Sequence, residues 1–143
     1  MLLARLLLAI LAATQVTSVE IPWRDYNDAM REAAEKQRPI FLYFGASWNG
    51  PAKKFEAEVL RSPETARLLK EKFVNVRIDI NQENTRDLVT VLGIERVPTV
   101  IIASHDKNIL YFVSPRTSQE LNERLRQALT EATAKRYRRD GAS

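Results

Sequence analysis

The apolar pattern along this chain predicts an α/β domain with a central mixed sheet of about four strands and helices on both faces. Three features carry that expectation. The run "PIFLYFG" is apolar from Ile40 to Phe44 apart from one tyrosine hydroxyl, as in a strand buried on both faces. The segment "VNVRIDI" sets Val74, Val76, Ile78 and Ile80 against Asn75, Arg77 and Asp79, the two-residue period of a strand with one polar face. Around these, apolar residues return at the spacing of helices that bury one stripe.

Each element can be justified in turn. In Trp23–Lys36, Tyr26, Met30 (or Ala29) and Ala33 recur at helical spacing among charges, which predicts an amphipathic first helix. Pro39 then introduces the apolar strand, which is expected at the centre of its sheet. From Gly50 to Leu60 the helical period reappears in Ala52, Phe55 and Val59, and Arg61 closes the segment. Ser62-Pro63-Glu64 supplies a capping hydroxyl, a proline at the first helical position and an acid in the first turn, opening "PETARLLKEKF". After the alternating strand, "NTRDLVTVLGI" predicts a short helix with Leu88, Val91 and Leu92 inward and Gly93 as its terminator. Val97-Pro98-Thr99 leads into the strand "VIIA", "SHDKN" has turn composition, and "ILYFV" is a further strand. Thr117-Ser118-Gln119-Glu120 is a capping box for a last helix carrying Leu121, Leu125 and Leu129 on one face. The order is a βαβ half with parallel strands and then a ββα half, which requires an antiparallel hairpin at "SHDKN". No internal repeat or low-complexity linker divides the chain, so one domain is expected.

Composition narrows the function classes. The 143 residues are 45% hydrophobic and 28% charged, enough for one packed core. The 22 basic and 18 acidic residues are spread along the chain, with a local concentration only in "KRYRR", Lys135 to Arg139. That is a poor footprint for nucleic acid, which calls for a denser basic stripe with interleaved aromatics. At the other end, "MLLARLLLAILAATQVTS" places Arg5 before a wholly apolar run from Leu6 to Ala13 and then small polar residues, as in a secretory leader cut after Ser18. The run is far shorter than the ~20 residues of a spanning helix; the competing reading is an uncleaved anchor. The expected organisation is a leader over 1–18, a domain over 19–134 and a basic tail over 135–143. The chain is expected to be exported, either periplasmic or secreted. It contains no cysteine, which rules out thiolate catalysis, thiolate metal sites, lipid attachment through sulfur and disulfide staples.

Between the first strand and the second helix lies "SWNGPAKK", Ser47 to Lys54, a stretch that reads as a Gly-Pro turn set between a tryptophan and two lysines. Trp48-Asn49-Gly50-Pro51-Ala52-Lys53, together with Val97-Pro98-Thr99 further on, resembles the thioredoxin-like superfamily, in particular its small exported bacterial members related to thiol:disulfide interchange proteins. The resemblance extends from about Trp23 to Leu129, and "PIFLYFGASW" and "KKFEAEVL" take part in it. It implies a thioredoxin fold, a cis peptide bond before Pro98 and a groove that receives an extended peptide. In the family the motif is Trp-Cys-Gly-Pro-Cys-Lys. Here Asn49 and Ala52 occupy the positions of the attacking and resolving cysteines, and an amide and a methyl can perform neither step. Asparagine is instead among the best helix N-caps and alanine the best helix former.

The resemblance therefore implies a fold without its redox chemistry: no catalytic residue, cofactor or metal, and a protein or extended peptide as partner. The expected groove comprises Trp48, Asn49, Gly50, Pro51, Ile94, Val97 and Pro98. Membrane contact is expected only through the leader or weakly through the basic tail, and the chain is expected to be monomeric. The alternative is a cysteine-substituted form of a periplasmic thiol:disulfide oxidoreductase. Tyr43 falls where many relatives carry a buried acid. His105, in a turn, reads as a solvated loop residue, and Lys53 and Lys54 read as solvated helix-face lysines with anion binding as the rarer role.

Overall fold

The computed structural model describes residues 18–141. The expected leader falls outside the described residues except for Ser18. The chain forms α1 (Tyr26–Lys36), β1 (Ile40–Gly45), α2 (Gly50–Phe55), α3 (Pro63–Lys72), β2 (Val74–Asp79), α4 (Arg86–Val91), β3 (Thr99–Ala103), β4 (Ile109–Val113) and α5 (Ser118–Asp140). One π turn, Glu56–Leu60, continues α2, and a 3-10 turn, Glu83–Thr85, leads into α4.

The strands lie in the order β2-β1-β3-β4. β1 pairs parallel with β2, opposing Leu42 to Val76, and antiparallel with β3, opposing Leu42 to Ile101. β3 and β4 form the expected antiparallel hairpin, turned at Ser104–Asn108 with Lys107 at φ 67°. β1 is thus central, and all six of its residues are buried. Two apolar layers cover the sheet. On one face, Phe41, Tyr43, Val100 and Ile102 pack with Phe55 and Val59, with Leu69 of α3, and with Leu121 and Leu125 of α5. On the other, Ile40, Leu42, Phe44, Val76 and Ile101 pack with Ala29, Met30 and Ala33 of α1, and half-buried Leu88 and Val89 of α4 close that layer. This is a thioredoxin fold.

Local chemistry explains most boundaries. The Asp25 carboxylate caps α1 by accepting from the Asn27 and Asp28 amides at 2.9 and 3.5 Å, and Gln37 ends it in the left-handed region. Thr117 Oγ1 accepts from the Glu120 amide at 3.1 Å, while the Glu120 carboxylate reaches back to the Arg116 amide rather than to that of Thr117.

Four expectations need correction. Val91 is 82% exposed and Val89 faces the core in its place. At the helical rotation Leu88, Val89 and Leu92 fall within about 100° of one another and form the inward stripe, and Val91 lies on its outer flank. Ser62 occupies the N-cap of α3 without a side-chain bond, leaving Pro63 as the start signal. Asn75, assigned to a polar face, is fully buried, because Trp23 forms a parallel bridge beside it and Arg24 N donates to its carbonyl at 2.8 Å. The Asn75 side-chain amide donates to Leu69 O at 2.8 Å, tying β2 to α3. Finally, Lys135–Arg139, expected in a tail, lies within α5, which runs on through Asp140 along the domain: Arg136 donates to Gln37 O at 3.2 Å and Arg139 pairs with Asp106 at 3.3 Å.

One buried polar pair joins α3 to α5, with Thr65 Oγ1 donating to Asn122 Oδ1 at 2.7 Å. A buried group robbed of its partner costs more than the net worth of the bond. Thr65→Val alone is expected to lower unfolding stability by about 1–3 kcal/mol. Adding Asn122→Leu should cost less than the sum of the two single changes in a denaturant double-mutant cycle.

Candidate functional site

β1 ends at Gly45, and the chain turns at once. The Asn49 amide donates to Ala46 O at 3.1 Å, closing a turn whose corner is Ser47-Trp48. A corner residue has no neighbour to pack beneath, and Trp48 is 65% exposed. Asn49 itself is extended (φ −86°, ψ 119°) and is the N-cap of α2. Its Oδ1 accepts from the Ala52 amide at 2.8 Å, and its carbonyl accepts from the Lys53 amide at 3.0 Å. The first-turn amides that would stabilise a thiolate therefore face a neutral oxygen. Ala52 is buried and its methyl fills the space beneath. The turn falls before the Gly-Pro pair, since Gly50 and Pro51 already belong to α2. Gly50 has no positive φ and nothing within 4 Å of where a Cβ would stand, so this position does not require glycine.

Tyr43 lies below. Its ring stacks on Phe55 with centroids 5.3 Å apart, Trp23 tilts against it at 6.3 Å, and its hydroxyl donates weakly to Ala52 O at 3.5 Å. Burial, and after it the negative charge of Glu56, pushes the phenol well above its ordinary range. Glu56 is itself paired with Arg77. An aromatic plug thus stands where a proton-transferring acid was the family expectation, and it lies across Gly45. A Cβ on Gly45 would stand 2.4 Å from the Tyr43 hydroxyl.

The Val97–Pro98 peptide bond is cis. Thr99 Oγ1 donates to Arg96 O at 2.7 Å, anchoring the segment at the start of β3. Among the described residues, the Val97 N–H and C=O take part in no hydrogen bond. Beside them opens a cavity of about 390 Å³, within the size range of ligand clefts. Buried Phe55, Val59 and Pro115 and half-buried Val97 and Pro98 supply its apolar surface, and exposed Lys54, Glu58, Arg96 and Arg116 supply charge.

Of the groove expected from sequence, Pro51, Val97 and Pro98 line this cavity, whereas Trp48, Asn49, Gly50 and Ile94 do not. Ile94 packs with the layer beneath α1 and α4. Ser114, Pro115 and Arg116 were missed by the sequence reading, although the hairpin predicts them. With Val100 opposite Val113, the residues just after β4 fall next to those just before β3. His105 is half-buried in the hairpin turn, at the opposite end of β3 from Pro98. Among the described residues, no group of three or more His, Asp or Glu side chains is placed to hold a metal ion, and no helix is long and apolar enough to cross a membrane.

Comparison with known proteins follows the same outline. A family profile described as thioredoxin-like matches residues 22–104. The thioredoxin-related protein DsbJ of Chlamydia pneumoniae is 33% identical over 112 residues, covering 70% of this chain and 32% of that relative, so the chain spans less than half of the relative's length. Among solved structures, a DsbH oxidoreductase superposes with a TM-score of 0.70 at 18% identity, over 81% of this chain and 89% of its own. A thioredoxin from Thermus thermophilus gives 0.71 at 21% identity, over 82% and 92%. The reduced C-terminal domain of DsbD from Neisseria meningitidis gives 0.59 at 22%, over 71% and 92%. At these identities the structures share the fold.

Two substitutions test the packing of the loop. Asn49→Ala should lower stability by about 1 kcal/mol through loss of the cap, and Asn49→Ser should retain most of it, as read from urea midpoints. Gly45→Ala should cost about 1–3 kcal/mol through overlap with Tyr43. Its cost should shrink in a Tyr43→Val background, and an undiminished cost there would place the clash elsewhere.

Proposed function

This chain belongs to the thioredoxin-like family, and we propose that it is an exported, redox-inactive member that serves as a protein- or peptide-binding module. Redox inactivity is supported by the absence of any cysteine and by the occupants of the two sulfur positions. Asn49 spends its side-chain oxygen on the helix amides and Ala52 is enclosed, so neither presents a nucleophile. Export is supported by the leader pattern of the first residues. The ligand is an extended segment. It lies beside the unpaired N–H and C=O of Val97, adding a short strand-like pairing, and its side chains enter the cavity formed by Phe55, Val59, Pro98 and Pro115.

The observation that carries this reading is the coincidence of an open backbone pair with an apolar cavity of ligand size at one end of the sheet. Backbone pairing supplies affinity with little dependence on sequence, and the cavity selects side chains. The interaction surface thus outlives the sulfur chemistry because it uses different atoms.

The pure protein, assayed for insulin-disulfide reduction with a coupled reductase, should give no turnover above background; measurable turnover overturns the redox half of the proposal. The variant Asn49→Cys/Ala52→Cys separates it from a cysteine-substituted oxidoreductase: a folded but inactive double variant supports the binding module, and full reductase activity supports the oxidoreductase. For the binding half, amide resonances of Arg96, Val97 and Arg116 should shift during titration with an extended peptide. If those amides stay in place with every peptide tried, the groove assignment is wrong.

A further inference from the structure

Resting on the groove reading above, we propose that the occupant is an acidic extended segment, whose carboxylates are selected by Lys54, Arg96 and Arg116. The three cations come from separate parts of the chain, in α2, the segment before Pro98 and the segment after β4, and they meet at one cavity. Glu58 is the single carboxylate among the lining residues, so the cavity carries an excess of positive charge.

Three cations without an acidic partner meeting at one concavity is what sets this place apart; six basic residues elsewhere have such a partner. Arg24 and Lys36 share Glu32, Arg77 pairs with Glu56, Arg126 with Glu64, Arg31 with Asp28 and Arg139 with Asp106. Among the described residues, none of Lys54, Arg96 and Arg116 forms an ion pair with an acidic side chain. Cations without acidic partners around an apolar concavity repel one another when it is empty, and a carboxylate relieves that repulsion. The apolar floor alone would accept any extended segment; the charged rim discriminates by attracting carboxylates and opposing lysine or arginine.

The carboxylate can belong to an acidic side chain or to a chain terminus, and the test separates the two. Fluorescein-labelled hexapeptides of one alternating frame, Val-Glu-Val-Glu-Val-Glu, its glutamine counterpart and its lysine counterpart, each with amidated and free C-termini, would be titrated by anisotropy at low and high salt. The glutamate peptide should bind at least about tenfold more tightly than the glutamine one, and added salt should erode the difference. Arg96→Glu and Arg116→Glu should each remove most of the preference, whereas Arg138→Glu, far along α5, should leave it intact. Preference for the free terminus in the glutamine frame alone would assign the site to a terminal carboxylate. Equal binding of all three peptides overturns the acidic preference and leaves the groove reading standing. Binding of none of them, with the circular dichroism of a folded domain, overturns both.

Discussion

Strand β1 has water on neither side, and the rest of the molecule answers that constraint. Six consecutive buried residues, Ile40 to Gly45, require a hydrogen-bonded neighbour on each edge and an apolar layer on each face. β2 and β3 satisfy the edges, one parallel and one antiparallel. α1 and α4 cover one face, while α3, α5 and the turn around Phe55 and Val59 cover the other. Because β1 and β2 run parallel, the chain must cross the sheet between them, and that crossover carries α2 and α3. The loop that begins the crossover leaves the end of a rigid, fully paired strand, so Trp48 and Asn49 are held on a stable base.

Tyr43 links that base to the loop. It packs with Trp23 and Phe55, occupies the space over Gly45 and ends beneath the Ala52 carbonyl. A phenol held protonated by burial contributes volume here and no proton transfer. Together with the Asn49 cap and the Ala52 methyl, it makes a site in which the positions of the family's two cysteines and buried acid are held by neutral groups. The helix start still has donors to satisfy, and an amide oxygen satisfies one of them as well as an anion would at lower desolvation cost.

The two ends of the sheet are built differently. At the end where β1 stops and β3 starts lie the exposed Trp48, the cis Val97–Pro98 bond and the cavity with its unpaired cations. At the other end the basic half of α5 is secured, Arg136 to the C-cap of α1 and Arg139 to the hairpin at Asp106. The Asp106 carboxyl is held below its usual range by its hydrogen bond from Ser104. That bond stabilises the hairpin above the ordinary carboxylate range and weakens as pH falls through the depressed value.

Periodicity and turn chemistry by themselves determined the order of elements, the buried central strand, the hairpin, the inward faces of α1, α2 and α5, and the cap at Asn49. These follow from local rules: apolar residues repeat with the period of the backbone that buries them, and asparagine before a helix has one good use. Resemblance in the Trp-x-Gly-Pro-x-Lys and Val-Pro-Thr segments identified the fold and the absent sulfurs. Tertiary structure alone decided the rest. Asn75 is polar and buried because Trp23 pairs along an edge that sequence would leave open. Val91 faces outward because α4 docks through the stripe of Leu88, Val89 and Leu92 instead. Gly45 lacks a side chain because Tyr43 occupies that space, and Gly50, read from sequence as part of a Gly-Pro turn, sits in the first turn of α2 with open space around it. Lys54, Arg96 and Arg116 lie 42 and 20 positions apart along the chain, and only the pairing of β3 with β4 and the packing of α2 against the sheet bring them to one cavity. A short-range pattern records which face a residue buries; which distant residues share that face depends on how the strands pair.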